Sequence, residues 1–164
     1  MRWLFLDKIE ELVPGEHIRG HFTWPPELEI FDDHFPEWPV VPGVLIMEAL
    51  AQLSGKGIGY SVRQQKSFWP FPILSMMRKV KFRRFIKPGQ QVDLYAEFVA
   101  LRDESAVMRV RASVDGTVMS QAEQVFVFNA VPFDDPSDSA RVEAAEGAEL
   151  ARLWTDFDPK VWQQ

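Results

Sequence analysis

The sequence predicts an α+β fold, an antiparallel sheet wrapped around one long central helix, with a C-terminal extension. Three observations predict it. Apolar residues recur at helical spacing from Gly43, and no proline interrupts them until Pro70. Further on, three segments alternate with a period of two: Val92 to Leu101, Ala106 to Val114 and Thr117 to Phe128. Beyond Val131 the composition shifts to a linker-like run, Pro132, Asp134, Asp135, Pro136, Ser137 and Asp138. At 164 residues the chain suits one domain with an appendage. We therefore expect a domain at 1–131, then an acidic linker and helical extension at 132–164.

Taken in order, residues 1–22 read as a strand, a reversal at Pro14-Gly15 and a second strand from His17 to Phe22. Residues 23–42 carry Pro25, Pro26, Pro36, Pro39 and Pro42, a density that excludes a regular helix because each proline removes a donor and restricts its predecessor. The helix then opens at Gly43, where Val44, Leu45, Met47, Leu50, Ala51, Ser54 and Ile58 mark its apolar positions. Glu48 and Gln52 lie one turn apart on it and share a face. A loop rich in proline and aromatics follows, Ser67 to Pro72, and then the three alternating strands. Asp115-Gly116 between the last two is a tight-hairpin signal, since both residues accept positive φ. In the extension, Leu150, Leu153, Trp154 and Phe157 give a helix from about Ser139 to Trp154 one apolar stripe.

Composition narrows the chemistry. With no cysteine there are no disulfides, no thiolate nucleophile and no cysteine-ligated zinc. Six Trp and thirteen Phe indicate a large apolar interior, a lipid-like ligand or an adhesive interface, without choosing among them. The apolar run Trp3 to Leu6 is far shorter than a signal-peptide core, and no stretch reaches spanning length, so a soluble, cytoplasmic protein with no membrane partner is expected. The net charge of −6 sits mostly in the tail: residues 132–164 hold eight acidic and three basic side chains, leaving 16 and 15 before them. A nearly neutral body makes nucleic acid an unexpected partner.

The informative segment runs from His34-Phe35-Pro36 through Pro39-Val40-Val41-Pro42-Gly43-Val44-Leu45 to Glu48-Ala49-Leu50-Ala51-Gln52. A second one is Val80-Lys81-Phe82-Arg83-Arg84 followed by Pro88-Gly89-Gln90-Gln91. Together, over roughly residues 1–130, they resemble the bacterial (3R)-hydroxyacyl-acyl-carrier-protein dehydratases, which have the hot-dog fold. The resemblance implies a hydro-lyase that converts the 3-hydroxyacyl thioester to the trans-2-enoyl thioester in fatty-acid or related lipid or polyketide synthesis, with neither metal nor organic cofactor. It also implies an acidic acyl-carrier-protein partner. Last, it implies a homodimer, or a higher oligomer built from dimers, in which His34 of one subunit meets Glu48 of the other.

The residues suit that chemistry. Elimination of water needs a base for the C2 proton, an acid for the leaving hydroxide and a donor for the thioester oxygen. His34 titrates in the right range to be the base. Glu48, on an otherwise apolar helix face, is expected to stay protonated and act as the acid. Gly43, where loop becomes helix, offers an unpaired backbone N–H with the helix dipole behind it. Around these three, Phe35, Trp38, Val44, Phe68 and Trp69 are the expected substrate-binding residues, the last two as lining or cap of an acyl tunnel. Arg78, Lys79, Lys81, Arg83, Arg84 and Lys87 form a basic run that is either a carrier-docking patch or a strand edge guarded by charge.

Other features have plainer readings. His17 and His21 have the spacing of a helical metal-binding pair, but on extended chain they stand roughly 13 Å apart. Gly55, Gly57 and Gly59 lack the strand context of a phosphate loop and point to close helix packing or a frayed helix end. Two departures from the family pattern stand out: Glu37 and Trp38, bulky neighbours of His34, and Asp32 and Asp33, whose charge favours imidazolium and predicts activity that falls at mildly acid pH. The rival functions are a hot-dog acyl thioesterase and a non-catalytic acyl-carrier-binding subunit.

Overall fold

The computed structural model describes residues 1–128 and 133–163. Strand β1 (Lys8–Val13) turns into β2 (His17–Thr23) through Gly15, whose φ of +74° suits glycine. A single-turn helix, α1 (Ile30–Asp33), precedes the proline-stiffened loop, and α2 (Gly43–Lys66) runs 24 residues, about 36 Å. It ends where Ser67 takes a left-handed conformation. Strands β3 (Ile73–Phe82), β4 (Gln91–Leu101), β5 (Ser105–Val114) and β6 (Thr117–Val127) complete one antiparallel sheet of order β1-β2-β4-β5-β6-β3. Asp115 and Gly116 both have positive φ, forming the tight β5–β6 turn expected.

The alternation becomes burial. Ile18, Val92, Leu94, Ala96, Met108, Val110 and Ala112 turn inward from the sheet and are essentially inaccessible to solvent. They meet Ala49, Leu50, Leu53 and Ile58 of α2 in one core. Close approach is needed at Gly57, where a Cβ would stand 3.0 Å from Ile18, and at Gly59, where it would stand 2.6 Å from the Trp69 indole. Packing, not fraying, accounts for these glycines. The result is the hot-dog arrangement, a curled sheet around a central helix.

Strand β3 is the element that alternation did not reveal. Its register shifts twice, between Leu74 and Met76 and between Arg78 and Lys81, and Lys79 adopts positive φ. Each bulge reverses the phase of the side chains, so no period of two survives in the sequence. Among the described residues β3 is also an edge: it pairs with β6 on one side only, and Met76, Met77, Val80 and Phe82 are all exposed.

The extension packs against α2 through Lys56, Tyr60 and Arg63. Its helix α3 (Pro136–Leu153) begins three residues before the expected start, because Asp135 caps the N–H of Ser137 and Pro136 occupies the first turn. Leu150 and Leu153 are buried, and Trp154 meets Tyr60 of α2 edge-on at 5.0 Å. Lys56 of α2 is nearly inaccessible and bonds Glu146 at 2.7 Å and Glu149 at 2.6 Å. Arg63 pairs with Glu143 and donates to the carbonyl of Trp162 in the last short helix, α4 (Pro159–Trp162). The boundary expected at 131/132 lies outside the described residues. Among those described, no helix is long and apolar enough to cross a membrane.

Candidate active site

His34 is held by backbone on both sides. Its N–H closes α1 onto the Ile30 carbonyl, and its carbonyl accepts from Val40 N–H across the loop of prolines, with a cis peptide joining it to Phe35. The ring is fixed as well: Nδ1 lies 3.1 Å from the Val40 carbonyl, and the Phe35 ring stacks on it at 4.5 Å. A carbonyl only accepts, so Nδ1 carries a hydrogen, and in the neutral ring Nε2 is the nitrogen that holds the lone pair. Asp32 and Asp33 are exposed on α1, and neither carboxylate pairs with His34 among the described residues.

The loop delivers the chain to α2 by Val41, whose N–H bonds the Ile86 carbonyl. Pro42 occupies the cap position and no side chain caps the helix, so the first-turn N–H groups of Gly43 and Val44 remain open. Gly43 is needed for space: a Cβ there would come within 2.6 Å of the Phe82 ring. His34, Gly43, Phe82, Arg84, Phe85 and Ser120 border one cavity of about 330 Å³. The Ser120 hydroxyl is fully buried beside it and has no partner among the described residues.

Glu48 belongs to a different cavity. Five residues beyond Gly43 it lies about 140° further round α2, so it faces away from His34. Its half-buried carboxylate accepts from the Trp3 indole N–H at 3.2 Å and from the Gln52 amide at 3.0 Å. Gln52 is steadied in turn by the backbone N–H of Phe5 at 2.8 Å. The buried Gln124 amide donates to the Met47 carbonyl and so ties β6 to the helix next to Glu48. The Glu48 cavity, about 350 Å³, shares no lining residue with that of His34. Within one chain the two residues are not brought together.

The remaining expected residues divide. Phe35 and Val44 line the His34 cavity. Trp38 sits at its rim with its ring edge-on to Phe85 at 5.1 Å. Phe68 and Trp69 follow α2 in the chain, but the loop folds back so that Trp69 packs on Gly59 and Phe71, and they line neither cavity. In the basic run, Arg78 and Lys79 engage Glu123, whose carboxyl is held below its ordinary value chiefly by the Arg78 hydrogen bond. Lys81, Arg83, Arg84 and Lys87 are exposed, with Arg84 at the His34 cavity. His17 and His21 pair separately with Glu11 and Glu10 of β1. Phe82, Phe85, Ser120 and Trp3 were not among the expected site residues. The two phenylalanines stood inside the basic run and were read for its charge, while Ser120 and Trp3 carry no local signal.

Comparison with known proteins agrees with this reading of the motif. The model of the FabA-like domain matches residues 1–123. The 3-hydroxyacyl-(acyl-carrier-protein) dehydratase FabZ of Clostridium acetobutylicum is 36% identical over 124 residues, 76% of this chain and 86% of that protein. The enzyme of the same name from Listeria monocytogenes is 34% identical over 130 residues, covering 79% and 88%. Among solved structures, the dehydratase heterocomplex ApeI:P from Xenorhabdus doucetiae aligns with a TM-score of 0.63 at 15% identity, over 85% of this chain and 89% of that one. A hypothetical thioesterase from Streptococcus pneumoniae with coenzyme A aligns at 0.57 and 13%, over 74% and 84%. At such identities these structures speak for the fold alone, whereas the family match spans the proline loop, the Gly43 turn and the Glu48 helix: the chain belongs to the FabA-like domain family.

Proposed function

We infer that this protein is a hydro-lyase that dehydrates (3R)-hydroxyacyl-acyl-carrier-protein thioesters to trans-2-enoyl thioesters in fatty-acid synthesis. The carrying observation is the pair of cavities flanking the start of α2, one with an imidazole whose Nε2 is free, the other with a positioned carboxylate. His34 Nε2 takes the C2 proton, and the electron pair moves toward the thioester oxygen. The open N–H of Gly43 receives that developing charge at the positive end of the helix. Glu48, in its protonated carboxyl form, gives that proton to the C3 hydroxyl, which leaves as water; the double bond forms between C2 and C3, leaving Glu48 as carboxylate and His34 as imidazolium.

The chemistry requires the two cavities to become one, and a second copy of the chain supplies that. The open edge of β3, with exposed Met76, Met77, Val80 and Phe82, has no neighbouring strand on its outer side among the described residues, which favours a homodimer joined along this face. The carrier protein approaches over Lys81, Arg83, Arg84 and Lys87, beside the mouth of the His34 cavity. The cytoplasm, where acyl carriers are loaded, is the matching location.

The test follows enoyl absorbance and free thiol together while the protein acts on 3-hydroxyacyl and 2-enoyl carrier-protein thioesters. Reversible hydration, lost in His34→Ala and in Glu48→Gln, is expected. Thiol release without hydration would replace this reading with hydrolysis.

A further inference from the structure

The Glu48 cavity is a groove along α2 with an unusual far end. It starts at Glu48, passes Gln52 and the bare backbone of Gly55, and stops at Lys56 with Glu146 and Glu149 from α3. From Glu48 to Lys56 is two turns of helix, about 12 Å. The near walls, Leu4, Leu74 and Phe126, are apolar; the end is one ammonium and two carboxylates, at most one-third exposed, in contacts of 2.6 and 2.7 Å. Gly55 leaves the middle open: a Cβ there would meet only Pro72, at 4.0 Å.

We propose that α3 is the specificity element of this enzyme and that it restricts the substrate to short acyl chains. The inference rests on the function above. If Glu48 protonates the C3 hydroxyl, then C4 and the carbons after it leave from beside Glu48, and the groove is the apolar path open to them. A six-carbon chain ends among Leu4, Leu74 and Phe126. A sixteen-carbon chain runs beyond the second turn and drives its methyl end into the charged cluster. It must then either desolvate two carboxylates without offering them a hydrogen bond or part them from Lys56, and both are unfavourable. The family match ends at residue 123 and α3 begins at Pro136, so the barrier is built from the chain's own extension.

The test is a chain-length series of 2-enoyl carrier-protein thioesters, from four to sixteen carbons, with kcat/KM for hydration as readout. The wild type should prefer the six-carbon over the sixteen-carbon substrate by at least tenfold. Replacing the cluster with apolar residues of similar size (Lys56→Met, Glu146→Leu, Glu149→Leu together) should narrow that ratio at least tenfold. Gly55→Leu adds a helix-favouring side chain in open space and should move the preference to still shorter chains, which decides the matter should the triple variant not fold. A flat wild-type profile, or an unaltered ratio in a folded triple variant and in Gly55→Leu, overturns the proposal and leaves the dehydratase reading standing. Inactivity at every length overturns both.

Discussion

If each site takes His34 from one subunit and Glu48 from the other, two dead variants should revive each other in a proportion fixed by symmetry. In a twofold dimer of a His34→Ala chain and a Glu48→Gln chain, one site combines both defects and the other combines both intact residues. Each heterodimer therefore carries one working site of two, and its specific activity should be about half that of the wild type. Each variant alone should fall by roughly 10² to 10⁴-fold, the usual contribution of one proton-transferring group. Co-expression with two different affinity tags, purification on both in succession, and enoyl hydration measured before subunits exchange isolate the heterodimer. The geometry gives the reason to expect revival: the two cavities share no lining residue, so neither substitution disturbs the other's surroundings. A purified, folded heterodimer no more active than its parents would refute the divided site and require His34 and Glu48 to meet within one chain.

Three further outcomes follow from individual contacts. Gly43→Ala should lose roughly 10² to 10³-fold in kcat/KM as the added methyl presses on the Phe82 ring and crowds the oxyanion position; thermal melting and steady-state kinetics on the same sample separate loss of fold from loss of catalysis. Glu123→Gln should destabilise at neutral pH but not in acid. The Arg78 hydrogen bond lowers the Glu123 carboxyl below 4.5, so its contribution is present above that value and is lost as pH falls through the folded-state value. Urea midpoints for wild type and variant should differ at pH 7 and converge below 4.5, and a pH-independent gap would contradict the assignment. Arg84→Glu should raise KM for a carrier-protein substrate several-fold while leaving a small-molecule thioester of the same acyl chain unaffected; equal losses on both would place Arg84 in the chemistry instead of docking.

Much of the fold was legible because its signals are periodic. Strands β4, β5 and β6 alternate, and α2 is buried over most of its surface apart from a stripe through Glu48, Gln52 and Gly55; a residue's neighbours two, three or four positions away disclose that. β3 was not legible, since two bulges scramble its phase and its outer side chains face solvent. In the site, the segment from His34 to Glu48 could be read because loop, helix start and acid are contiguous. Trp3 and Gln124 hold Glu48 and its helix from distances of 45 and 77 residues along the chain, and no local pattern records such a contact. Phe68 and Trp69 look like ligand-binding aromatics in sequence, but the loop folds back on α2 and places Trp69 against Gly59, about one turn beyond the Glu48 cavity at Gly55, where it packs instead of lining it.

The family's boundary and the folding unit's boundary are different places in this molecule. A chain trimmed near residue 123 or 131 would retain every motif that identifies it, yet it would lose Leu150, Leu153, Trp154 and Val161, all buried in the same core as α2. Removing the two leucines alone forfeits burial worth roughly 3 to 6 kcal/mol, comparable with the whole net stability of many small domains. The family match thus stops short of the packed unit, in which the C-terminal helices and α2 share one core.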